Sequence, residues 1–287
     1  MTERFTVIDS NALRSEALRH YLAKSQTNFA VLTDYVAMEA YKAKTFGVLA
    51  RSMKIVGEFP RQVIVLKGTN KICGLKPKAR GLRKRMICPT QTGQFHKFIE
   101  AIKRAQNGDA QLQKSFELHR RAASMHMDKV LDDATRLPNT FPDMAESFTD
   151  EELKILRSGR KFSRDIVMKL RQSILVIAAT HYRDHPGLTQ GPPRGHDLQH
   201  SYIFRHSVCS YWWALKWIRT GGAQMAKPER IRNDLVDITF ATYATFFDGI
   251  LTDDKNLTEL YFATNYILGE LFKTSGDWSS RNRGNSV

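Results

Sequence analysis

Apolar and polar positions change their period along this chain, and the changes outline its elements. Phe5 to Ile8 is a short β-prone run that ends at Asp9. Ser10-Asn11 then opens a helical pattern in which Leu13, Ala17, Leu18, Tyr21 and Leu22 recur on one face. Phe29 to Leu32 reads as a second strand. Thr33 and Asp34 can cap a following helix that carries Met38, Glu39, Phe46, Leu49 and Met53. Gln62 to Leu66 reads as a third strand, closed by Lys67-Gly68. Strand and helix alternate over this stretch, the pattern of βαβ units around a parallel sheet.

Between about Lys76 and Arg230 the pattern is mainly helical. Helices are expected over Gly93 to Gln106, Ala110 to Arg136, Asp150 to Arg157, Ser163 to Arg183 and Leu198 to Ile218. Pro and Gly gather in loops at Leu137 to Asp143 and His185 to Gly195. Alternation returns near the end. Pro228 leads into a helix from about Ile231 to Phe247, Asp248-Gly249 stops it, and Ile250 to Thr252 forms a very short strand. A closing helix holds Leu257, Leu260, Phe262, Ile267, Leu268 and Leu271.

In a parallel sheet, functional groups gather beyond the carboxyl ends of the strands. Asp9 follows one strand directly, and Asp253 and Asp254 follow another, so neighbouring strands would bring these acids together. Asp234 and Asp237 are three apart and can share a face of the preceding helix. Glu39, near the start of the helix after the second strand, belongs to the same edge. Acids held together raise one another's pKa unless a cation neutralises them. Oxygen-only ligands select hard ions, so Mg²⁺ or Mn²⁺ is the expected partner. Such a site can activate water and stabilise the charge that develops in phosphodiester cleavage. Singly, each acid also fits an ordinary role: a turn at Asp9, an N-cap at Asp253 or Asp254, a solvated helix face at Asp234 and Asp237.

Charge narrows the substrate. The chain has 44 Lys and Arg against 29 Asp and Glu, a net of +15 over 287 residues. Residues 61 to 130 contribute 16 basic against 4 acidic side chains, a net of +12. Lys76, Lys78, Arg80, Arg83, Lys84 and Arg85 fall within ten residues that hold no acid. That density suits backbone phosphates and makes this run the expected nucleic-acid contact, though a solvated loop or a docking patch for an acidic inhibitor has the same composition. No apolar run approaches a membrane span, and no signal pattern opens the chain. The three cysteines are scattered, which favours a reducing cytoplasm over a disulfide framework.

Three blocks resemble a known family. Val7-Ile8-Asp9-Ser10-Asn11 is similar to the opening strand motif of PIN-domain nucleases. Glu39, within Asp34-Tyr35-Val36-Ala37-Met38-Glu39, resembles that family's second acidic position. The stretch from Asp237 through Ala241, Ala244 and Gly249 to Leu251-Thr252-Asp253-Asp254 is similar to its C-terminal block. The resemblance implies an α/β fold, a PIN-like parallel sheet flanked by helices with a large mainly helical insertion. Residues 1–75 and 228–287 would form the nuclease domain and 76–227 the basic insertion. It further implies that Asp9, Glu39, Asp237 and Asp254 are catalytic and bind metal, with Asp253 as an alternative ligand. Asn11, Asp234 and Thr252 would support them. The activity implied is a metal-dependent endoribonuclease acting on RNA. Partners expected of such a toxin-like or defence nuclease are an inhibitor protein or effector complex and a second copy of the chain. Rivals are a flap-type DNA nuclease and a non-catalytic nucleic-acid-binding protein.

Two other patterns carry weaker chemistry. His196-Asp197-Leu198-Gln199-His200 places two histidines at i and i+4, with His206 and Cys209 beyond, as a zinc helix would. Asp in place of the usual Glu base argues against that use. Tyr211, Trp212, Trp213 and Trp217 form an aromatic stripe that could stack bases, but such stripes more often pack a core.

Overall fold

The computed structural model describes residues 2–41, 45–136, 146–158, 162–185, 193, 195–219 and 227–272. Its centre is a four-stranded sheet of β1 (Arg4–Ile8), β2 (Asn28–Leu32), β3 (Val63–Val65) and β4 (Ile250–Leu251). Every pairing is parallel, and the order is β3-β2-β1-β4. Val7 lies opposite Val31 on one side and Ile250 on the other, while Ile8 faces Leu251. Strands β1 and β2 begin solvent-accessible and end fully buried, the behaviour of strands covered on both faces. Segments from the first and last parts of the sequence thus lie in adjacent strands. The loop expected at Leu137 to Asp143 lies outside the described residues.

Helix α1 (Glu16–Lys24) starts where Ser15 Oγ accepts the Leu18 amide at 3.2 Å. Helix α2 (Asp34–Tyr41) starts where Thr33 Oγ1 accepts the Val36 amide at 3.2 Å. The single helix expected through Met38, Phe46 and Met53 is divided. Thr45 is extended (φ −132°, ψ 148°), and α3 (Phe46–Ser52) and α4 (Lys54–Glu58) follow as short pieces. Three further short helices, α5 (Thr69–Cys73), α6 (Leu82–Met86) and α7 (Pro89–Gly93), lead into α8 (Phe95–Gln106) and α9 (Ala110–Arg136). The remainder comprises α10 (Asp150–Ser158), α11 (Arg164–Asp184), α12 (Tyr202–Arg219), α13 (Pro228–Ala244) and α14 (Lys255–Phe272).

Helix α13 is the hub. From Ile238 to Ala244 every residue is buried, and the helix packs on β1, α9, α12 and α14. A helix enclosed on all sides needs small or apolar residues all round, and Ala241, Thr242 and Ala244 allow the close approach. The long segment 76–227 is divided between two hydrophobic clusters. Phe95, Ile99, Phe116, Met127, Tyr202, Cys209 and Trp213 join the core built on the sheet. Ile166, Leu170, Ile174, Ala178, Phe204, Val208 and Leu215 form a second cluster with Ile267. Among the described residues, no helix is long and apolar enough to cross a membrane.

Candidate functional site

Strand β1 ends at Ile8, and Asp9 is the first residue past it. The Asp9 amide donates to Leu251 O at 3.1 Å, which sets the turn after β4 beside it. Across a separation of 243 residues, Thr252 Oγ1 donates to Asp9 Oδ2 at 2.8 Å. Ser10 Oγ donates to the other carboxylate oxygen at 3.3 Å. Asp9 is only 3% exposed, and burial raises its pKa against these bonds and those from the Ser10 and Asn11 amides. Asn11 therefore assists through its backbone, while its side chain is exposed and caps nothing.

The turn separates the two candidate acids. Asp253 is exposed. Asp254 Oδ1 accepts the Asn256 amide at 2.6 Å and the Leu257 amide at 3.2 Å, so it caps α14. Thr252 Oγ1 accepts the Asp254 amide at 3.0 Å, linking Asp9, Thr252 and Asp254 in one chain of bonds.

Asp237 is the focus of the group. Its carboxyl is pushed up to about 8, first by burial and then by the charges of Asp9, Asp254, Asp234 and Glu39. Of the six acids read from the strand ends, the preceding helix and α2, four are thus within electrostatic range of Asp237, and Asp253 is not among them. Among the described residues Asp237 accepts no hydrogen bond and makes no ion pair. Asp234 differs: Oδ2 accepts the Trp213 indole N–H at 2.9 Å and that of Trp217 at 3.0 Å. Burial raises its pKa, and the two indoles oppose the rise.

Closer convergence was expected, within the reach of one shared ion. Among the described residues no three His, Cys, Asp or Glu side chains stand at such spacing. The hydrogen bonds account for this. Both oxygens of Asp9 are turned to hydroxyls, Oδ1 of Asp254 is turned to a helix end, and Asp234 is turned to the tryptophans. The donor set still suits a hard cation, being all oxygen and multiply anionic.

The basic run divides as well. Arg83 Nε donates to Phe246 O at 2.6 Å, and its Nη1 pairs with Asp248 at 2.9 Å. Asp248 exchanges hydrogen bonds with Phe5, at the start of β1. Arg83 is therefore anchored toward the opposite end of the strand from Asp9, which four residues of extended chain place about 13 Å away. Arg85 donates to the carbonyls of Lys76, Lys78 and Arg80 and shapes that loop. Lys76, Lys78, Arg80 and Lys84 remain exposed. Of the six expected phosphate ligands, two have structural duties.

Cations that the charge pattern did not single out lie closer to the acids. A cleft is lined by Trp212, Trp217, Lys216, Arg230, Asp234 and Asp237, among others. The sequence signal for it is thin: an i, i+4 tryptophan pair on one helix and an arginine four residues before Asp234. The aromatic stripe itself is partly core, since Tyr211 and Trp213 are buried, whereas Trp212 and Trp217 are half-buried.

The zinc pattern does not assemble. Gly195–His200 is a 3₁₀ turn, in which residues three apart eclipse and residues four apart do not, so His196 and His200 face differently. Arg205 holds that turn through Gln199 O at 2.6 Å. His206 packs against Tyr202 and His181, and Cys209 accepts from Thr264 Oγ1. All three cysteines are free thiols.

Fold and edge together define an α/β protein with a four-stranded parallel sheet and an acid cluster at one end of its strands. No family model matches the chain, and no curated protein or solved structure matches it either.

Proposed function

We propose that the chain is a divalent-metal-dependent nuclease that hydrolyses phosphodiesters. The observation that carries this reading is Asp237: a carboxyl that feels the charges of four other acids, accepts no hydrogen bond and makes no ion pair among the described residues, and lines a cleft. Leaving charge uncompensated in a desolvated place is costly, and such places concentrate at functional sites. Asp9, Glu39, Asp237 and Asp254 would hold Mg²⁺ or Mn²⁺, which supplies Lewis acidity toward a phosphate oxygen. Thr252 orients Asp9, and the indoles of Trp213 and Trp217 orient Asp234. RNA as substrate follows from the likeness of the Val7–Asn11, Glu39 and Asp237–Asp254 blocks to PIN-domain nucleases. Net positive charge supports a polyanionic substrate of either kind.

The test is cleavage of a mixed RNA pool by purified protein with Mn²⁺ or with EDTA, cut sites being mapped by sequencing. Cuts that need Mn²⁺ and disappear in Asp9→Asn and Asp237→Asn support the reading. Cuts that persist in both variants remove it. A flapped DNA substrate run alongside separates RNA from DNA specificity.

A further inference from the structure

The cleft beside Asp237 has a composition that the acid edge does not require. Three of the chain's four tryptophans line it, Trp212, Trp213 and Trp217, all from α12. The Arg230 guanidinium lies 4.8 Å over the Trp217 ring and is exposed. Lys216 Nζ bonds Asn256 Oδ1 at 3.0 Å and Glu259 at 2.6 Å across the same wall. The Trp212 indole N–H is buried and has no acceptor among the described residues. The cleft therefore offers the half-buried indoles of Trp212 and Trp217 and two cations, with Asp237 among its lining residues.

We infer that this cleft is a subsite for one unpaired nucleotide of a single strand. A neutral planar base suits the Trp212 and Trp217 indoles once the exposed Arg230 side chain swings from the Trp217 ring to the phosphate, and such stacking tolerates any base sequence. Lys216 and Arg230 suit the phosphate of the same nucleotide, and Asp237 lies where the chain would continue. A cationic ligand is disfavoured, because Lys216 and Arg230 both line the cleft. Size sets the strandedness. The cleft holds about 110 Å³, below the roughly 300 Å³ at which drug-sized pockets begin, so it admits one ring system and not a stacked base pair.

The inference takes its substrate class from the nuclease reading, and the experiment separates the two. The full chain in EDTA is titrated with a short fluorescein-labelled single-stranded RNA, its DNA counterpart and the same sequence as a duplex. Anisotropy gives affinity, and tryptophan emission reports stacking. Single strands should quench the wild-type emission and bind more tightly than the duplex. Trp217→Leu should weaken single-strand binding by about tenfold or more, and Trp217→Phe should restore most of it. Arg230→Ala, at an exposed position, should lower the salt dependence of binding by about one phosphate contact. Preference for RNA or for DNA names the source of the strand, and equal binding shows that the unpaired base alone is read. Absence of quenching in the wild type overturns the subsite, as does a duplex bound as tightly as the single strand. Unchanged affinity in folded Trp217→Leu does the same, and if that variant does not fold, the wild-type quenching and Arg230→Ala decide. Quenching without Mn²⁺-dependent cleavage leaves the cleft and removes the nuclease reading; cleavage without quenching does the reverse.

Discussion

Two half-buried aspartates beside the same sheet, Asp34 just past β2 and Asp237 within α13, have opposite surroundings. Asp34, just past β2, is fully provided for. It accepts the Thr69 amide at 2.7 Å, the Thr69 hydroxyl at 2.8 Å and the Tyr35 amide at 3.1 Å. The Tyr243 hydroxyl reaches the same Thr69 hydroxyl at 2.8 Å, which ties the loop after β3 to α13. Burial raises the Asp34 pKa, and its three donors oppose the rise. Asp237 is comparably enclosed, yet its neighbours are four more acids. One carboxylate is a structural tie. The other has no donor among the described residues, and burial together with the neighbouring charges raises its pKa. Burial alone would not have told them apart; the difference lies in who donates.

That contrast can be broken at several points. The largest effect is expected from Asp237→Asn, which should lower Mn²⁺-dependent cleavage by at least about a hundredfold, the scale seen when a main electrostatic group is removed. The same variant should melt no lower than wild type, because it removes a desolvated carboxyl that its acidic neighbours disfavour, without removing a bond. A drop in melting temperature comparable to that of an Asp34 variant would place Asp237 among the structural acids. Asp34→Ala should cost about 1–3 kcal/mol by denaturant titration, since it strands the Thr69 amide and hydroxyl. Normal stability in that variant would undo the assignment of Asp34 as a tie.

Cation linkage sharpens the comparison from the other side. At about a hundredfold excess over its dissociation constant, Mn²⁺ should stabilise the folded wild type by roughly 2.7 kcal/mol. It should do so equally in Arg83→Ala and not in Asp237→Asn, as read by melting with and without EDTA. Thr252→Ala comes next. It frees Asp9 Oδ2 and leaves the acids in place, so a cleavage loss of about 10–100-fold is expected. The smallest effect is at the opposite end of β1. Arg83→Ala should lower stability by about 1 kcal/mol or less, because its pair with Asp248 is half exposed, and should leave cleavage per folded molecule unchanged.

Much of the architecture was legible from local pattern. The apolar runs Phe5–Ile8 and Phe29–Leu32 fall within β1 and β2, each strand starting one residue earlier, and Ala110–Arg136 was bounded to the residue by its helical period. The division at Thr45 was not legible, because apolar spacing through Phe46 and Met53 continues the helical phase even where the backbone turns. Neither was the 3₁₀ turn at Gly195–His200, since i, i+4 histidines look alike whatever winding the backbone adopts.

The candidate site divides along the same line. The sequence by itself determined which residue types stand at strand ends: Asp9, Thr252 and Asp254 follow their strands directly, and local rules place such residues on one sheet edge. It also determined the total charge and its density at Lys76–Arg85. Only the tertiary structure decided that β4 lies beside β1, which joins Thr252 to Asp9 and makes an acid group out of the first and last parts of the sequence. It alone decided that Asp254 caps a helix, that Asp34 is satisfied while Asp237 is not, and that Arg83 and Arg85 serve the fold. The cations set beside the acids are Lys216 and Arg230, which the charge pattern passed over. The reason is physical. Charge density and strand ends are properties of neighbouring residues, whereas the supply of donors and counter-charges to a buried carboxylate depends on groups that are distant in the chain and adjacent only after packing.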